Sequence, residues 1–174
     1  MTVPTSDNRE QYLGNDSTTV FGYAFKIFRD EDLEVYLVEG DVQTLQTLGT
    51  DYSVSGAGNE SGGNVTMTTA PTSSQTLVIL RIVAVVQETD LRNQGAYYPE
   101  TVEDEFDRSR MIDQQQQDEI NRTLRRPEAL DYWDAESRNI RNVKDAVELD
   151  DAVNKGRMDV RFSDDVITKT GSHW

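Results

Sequence analysis

Apolar and polar positions follow two regimes along the chain. Through the first hundred residues, apolar side chains alternate with polar ones or gather in short runs between turn residues, the pattern of pleated strands. Thr18 to Phe25 is rich in Thr, Val, Phe and Tyr and follows the turn residues Gly14-Asn15-Asp16. Leu33 to Val38 places Leu33, Val35 and Leu37 on one face and Glu34, Tyr36 and Val38 on the other, then meets a hairpin turn at Glu39-Gly40-Asp41. Tyr52 to Ser55 is a short strand. Gly56 to Gly63, with its four glycines, reads as a loop between β runs. Asn64 to Thr69 alternates with Val65 and Met67 inward, and Ala70 to Ser74 is a turn. Thr76 to Val86 is the strongest strand and is expected at the centre of a sheet, though Arg81 interrupts its apolar run. Short strands at this spacing predict a sandwich or barrel.

The second regime begins after a polar stretch and the pair Tyr97-Tyr98. From Thr101 to Arg126 there is no Gly or Pro, and helix formers dominate. Thr101 is placed to cap, acids follow at Glu103 to Glu105, and arginines gather near the end, in accord with the helix dipole. Pro127 stops the helix. Its stripe at three- and four-residue spacing runs through Val102, Phe106, Ser109 or Arg110, Asp113, Gln117, Ile120 and Leu124. The ends are apolar and the middle is polar. One reading is a self-associating seam whose polar middle fixes register; the other is a half-exposed surface helix with a solvated Gln114-to-Gln117 run. On the first reading Val102, Phe106, Gln117, Ile120 and Leu124 form the trimer interface. The remainder, Glu128 to Trp174, is Asp-rich with short apolar runs and is expected to fold only in an oligomer or on a partner.

The expected fold is therefore mainly β with one long helix. An N-terminal antiparallel β-sandwich or barrel-like domain (1–100) precedes a trimeric helix (101–127) and a small C-terminal extension (128–174). In 174 residues only 36% are apolar and 8% aromatic, which leaves surface for other subunits. The net charge of −15 argues against nucleic acid and anionic membranes, because binding to phosphates rests on Lys and Arg. No apolar run reaches the length of a bilayer span, and the first ten residues carry no secretory h-region. There are no cysteines, hence no disulfide or thiolate chemistry.

Catalytic patterns are weak. The one histidine, His173, lies beside the last residue, where a triad base is hard to hold. No Gly-rich loop opens a helix with a Lys. Asp150-Asp151 and Asp164-Asp165 match no calcium loop and read as solvated turns. With 32 acidic residues, carboxylate pairs arise in any fold and do not single out a glycosidase. The expectation is a non-enzymatic protein without cofactor or metal. Aromatics are the better signal: Tyr97 and Tyr98 before the helix, Tyr132 and Trp133 after it, and Trp174 at the end.

Ordered segments then carry a resemblance. They are Gln11 to Phe21 with Phe25, Leu33 to Leu37, Gly49 to Val54, Asn64 to Met67, Ala70-Pro71, Leu80-Arg81, Gln87 to Leu91, Gly95 to Tyr97, Pro99-Glu100, Glu103 and Asp107-Arg108. Over roughly 9–126 this series resembles the N-terminal domain of podophage tail fibres of the T-seven type. Trp133 to Val143, Asp145-Ala146 and Asp150 to Asn154 are similar to the stalk segment that follows the helix in such fibres. The resemblance implies a structural virion protein made in the host cytoplasm. It implies a homotrimer whose N-terminal domains dock on tail proteins of the adaptor or nozzle, with no catalytic residues.

Family fibres usually continue into a long shaft and tip, whereas this chain ends about twenty residues after the second match. The expected role is a short fibre or adaptor that links the tail to a distal receptor-binding fibre or tailspike. Tyr97, Tyr98, Val160, Phe162 and Trp174 are candidate partner-docking residues, with Val160 and Phe162 suited to strand addition. The competing expectation is a carbohydrate-binding β module that contacts the host surface directly.

Overall fold

A computed structural model describes residues 3, 5–87, 89, 98–129, 131–147 and 152. The chain divides into two compact units, Met1–Arg122 and Thr123–Trp174. The first unit holds two antiparallel sheets and one long helix, the mainly β fold expected from the alternation.

The strands are β1 (Arg9–Leu13), β2 (Val20–Tyr23), β3 (Leu33–Glu39), β4 (Val42–Leu45), β5 (Tyr52–Ser55), β6 (Gly63–Met67) and β7 (Gln75–Arg81). One sheet has the order β1-β7-β3-β4 and the other β2-β6-β5. Both contribute to one core. Leu33, Val35, Leu77 and Ile79 from the first sheet meet Phe21, Tyr23, Tyr52, Val65 and Met67 from the second, with Phe25 and Ile27 between. Each such side chain is worth about 1.5–3 kcal/mol of burial, and this alternating set is what closes the sandwich. Tyr23 and Tyr52 keep their hydroxyls satisfied by donating to the Ser55 and Leu33 carbonyls, each at 2.8 Å. Burial pushes both phenols up to about 12, with Asp30 and Glu34 adding to the effect at Tyr23 and Tyr52 respectively.

β7 lies between β1 and β3, the central place its apolar run demands. It ends at Arg81, not Val86, because β3 begins at Leu33 and offers no partner beyond the Arg81–Leu33 pair. A 3-10 turn at Asp30–Asp32 sets that start, and the buried Asp32 carboxylate accepts from the Phe28 and Arg29 amides. Gly40 and Asp41 form a two-residue turn between Glu39 and Val42, with Gly40 at φ +57°. Gly62 combines φ +78° with a backbone approach so close that a Cβ would stand 2.0 Å from the Tyr23 carbonyl oxygen.

β1 and β4 are strands that the alternation did not single out. Each is an edge with at least one wetted face, so its residues, Arg-Glu-Gln-Tyr-Leu and Val-Gln-Thr-Leu, carry little apolar signal.

The helix, α1, spans Pro99–Asn121 and so differs from the expected Thr101–Arg126 at both ends. It starts earlier because Pro99, with its fixed φ, occupies the first turn, and no side chain caps it. It stops before Arg125 because that residue's backbone pairs with Asp134 as an antiparallel bridge, within the second unit. The ion pair Arg126–Asp131, at 2.6 Å, ties the loop so formed.

Candidate interaction surfaces

α1 is amphipathic in an unusual sense: the face it turns to the β body is polar. Asp104, Asp107, Arg108, Met111, Gln114, Gln115 and Asp118 recur at three- and four-residue spacing on that side. Of the three buried helix residues, Asp107, Arg108 and Met111, only Met111 is apolar. Lys26, which is 1% exposed, reaches the Asp107 carboxylate at 2.9 Å and Asp104 at 3.7 Å, and its ammonium sits 4.5 Å from the centre of the Phe28 ring.

Arg81 is equally buried. Its guanidinium donates to the Lys26 carbonyl at 3.1 Å and to the Gln114 side-chain oxygen, and it lies 5.4 Å from the Phe25 ring centre. Burial lowers its pKa to about 10, against the opposing field of Asp32. The Gln114 amide passes the connection on to the Thr5 carbonyl at 3.0 Å. Gln115 accepts from the Val83 amide, Arg108 donates to the Ala84 carbonyl, and Arg9 pairs with Asp118 at 3.7 Å. The helix is thus fastened to the exit of β7, to Lys26 and to the N-terminal segment.

These contacts correct the reading of Gln114 to Gln117 as a wholly solvated run. Gln114 and Gln115 serve the body, while Gln116 and Gln117 are exposed. Arg81 is likewise not an interruption of β7 but its anchor to α1. The sequence signals were a lone Lys inside Phe25-Lys26-Ile27 and a lone Arg inside an apolar strand, each requiring a buried partner.

The opposite side of α1 carries much of the expected seam. Phe106 is 72% exposed and Ile120 55% exposed, Gln117 is exposed, and Val102 is half-buried. Leu124 lies past the helix end, in the second unit, and is exposed. Beside Phe106 runs a groove of about 390 Å³ lined by Val85, Val86 and Ile112 among others, and Thr89 hydrogen-bonds Glu105 on its wall. Of the partner-docking candidates, Tyr98 is exposed, whereas Tyr97, Val160, Phe162 and Trp174 lie outside the described residues. Asp150-Asp151 and Asp164-Asp165 lie outside them too. In the second unit Tyr132 and Trp133 are exposed on the loop closed by the Arg125–Asp134 bridge.

Among the described residues no cluster of three or more His, Cys, Asp or Glu side chains is shaped for a metal, and no helix is long and apolar enough to cross a membrane.

No protein-family model matches the chain. It is 38% identical over 161 residues, 91% of its length, to the tail spike protein of Salmonella phage epsilon15. The chain spans 15% of the length of that protein. Similarity that runs through both the β sandwich and α1 supports a protein of the phage tail.

Proposed function

We propose that this chain is a non-enzymatic connector of the phage tail, similar in kind to the short N-terminal portion of T-seven-type fibres. The β sandwich docks on tail proteins, copies associate as a trimer through the free side of α1, and the C-terminal segment engages a distal receptor-binding fibre or tailspike. One observation carries this reading: α1 holds the body with its polar side and leaves Phe106 and Ile120 open to solvent on the other. An exposed Phe and an exposed Ile on one helical stripe suit a seam between copies. Trimeric copies give avidity for a host surface without any chemistry in this chain.

Light scattering of the purified chain tests it. The monomer is 19.7 kDa, so a trimer has a mass of about 59 kDa. Changing Phe106, Ile120 and Leu124 together to Ser should return the mass to that of the monomer and leave the β fold intact. A wild-type chain that stays monomeric and folded sinks the trimeric mechanism.

A second reading rests on Tyr132 and Trp133, exposed side by side on a closed loop. Aromatic faces of this kind suit sugar stacking. Binding to a glycan array that disappears in Trp133→Ala would favour a carbohydrate-binding module.

A further inference from the structure

The β4 edge of the first sheet differs from its β1 edge. β1, at the far side, leans on β2 of the second sheet, where the Tyr12 hydroxyl donates to the Gly22 carbonyl at 2.8 Å. β4 projects, and all four of its residues are exposed. The Gln46 amide donates to the Val35 carbonyl at 2.8 Å. In an antiparallel ladder bonded pairs alternate, so Thr44–Leu37 and Val42–Glu39 are the next bonded pairs. Gln43 and Leu45 therefore turn their N–H and C=O groups away from β3, and among the described residues no backbone pairs with them. β4 carries no Lys, Pro or bulge of the kind that blunts a free edge. On its inner face a groove of about 350 Å³, lined by Leu37, Val42, Thr44, Gln75 and Glu39, leaves room for the alternate side chains of an added strand.

Charge states what that strand is. Between Arg29 and Arg81 the chain has eight acidic residues and no basic one, including Glu39 and Asp41 at the end of β4. Two β4 edges pairing with each other would bring two such stretches together. A basic strand would gain both the ladder and the field.

We propose that β4 is a docking edge that takes up an extended, basic segment of a neighbouring tail protein by strand addition. The segment pairs with the outward groups of Gln43 and Leu45 and sets Lys or Arg near Glu39 and Asp41. This deepens the docking reading above and rests on it.

Virions of the source phage assembled without this chain serve as the probe, with co-sedimentation of the full chain as the readout. The double variant Gln43→Pro/Leu45→Pro removes two outward N–H donors without touching a bond to β3. It should weaken binding about tenfold or more, from about 1 kcal/mol for each lost bond, with the circular dichroism unchanged. The variant Glu39→Gln/Asp41→Asn keeps every backbone group; it should weaken binding and flatten its salt dependence, and it decides the matter if the proline variant does not fold. Wild-type binding that survives both changes overturns the edge while leaving tail docking intact. Wild-type protein that does not bind the virions overturns both. Proline variants that lower the solution mass of the chain overturn the proposal in favour of pairing between copies.

Discussion

The strongest test of how α1 is held is removal of the Asp107 carboxylate. Lys26 is buried and meets Asp107 at 2.9 Å, with Asp107 itself nearly as buried. Taking away one partner of a buried pair leaves the other charge uncompensated, at a cost of about 3–5 kcal/mol. Asp104 remains at 3.7 Å, half in solvent, and offsets part of that loss. Asp107→Ala should therefore destabilise the first unit by about 3 kcal/mol, near the lower end of the range. Replacing both partners, Lys26→Met with Asp107→Leu, removes the charges and keeps the volume. That double variant should lie within about 1 kcal/mol of the native protein, so the two changes are strongly non-additive. Urea unfolding followed by far-ultraviolet ellipticity, at fixed protein concentration, measures all three. An Asp107→Ala cost below about 1 kcal/mol, or single costs that simply add, would refute the claim that this pair fastens the helix.

Other expectations follow from the same geometry. Met111→Ala leaves a void at the only apolar buried position of α1 and should cost about 2–4 kcal/mol in the same assay. Gly62→Ala forces a Cβ against the Tyr23 carbonyl, so its yield of folded protein should collapse, whereas Gly58→Ala, at a similarly positive φ but with open space at its Cβ, bears the backbone strain alone and should lose less. Tyr23 and Tyr52 ionise near 12 in the fold but near 10 when unfolded, so the unfolded chain releases these protons first. Stability present below pH of about 10 should then fall as pH rises from about 10 to about 12, and ultraviolet titration should show two late tyrosines whose ionisation tracks unfolding.

The arrangement explains why a chain with so few apolar residues supports a long helix. A polar helix of 23 residues gains little from propensity alone, and here it is ordered by specific buried polar contacts. Such contacts add less energy than an apolar stripe of equal area, but they fix register, since Arg81 meets Gln114 and Lys26 meets Asp107 in one alignment only. The direction in which Phe106 and Ile120 face is then set by the β body.

The sequence by itself determined the β core. The alternation in Leu33 to Leu37, the inward pair Val65 and Met67, the glycine loop and the two-residue turn at Gly40-Asp41 are local consequences of side-chain period and backbone freedom, and they stand in the structure as the pattern demands. Helical spacing also grouped Phe106, Gln117 and Ile120 on one face of α1, but it did not show which face the β body would cover. What only the tertiary structure decided is which polar residues are buried. Lys26, Arg81, Asp107 and Gln114 are hydrophilic by type, and nothing within a few positions of each in the chain reveals a partner as many as 81 residues away. The edges β1 and β4 escaped for the related reason that a strand wetted on one or both faces owes its existence to its neighbour's backbone and not to its own side chains.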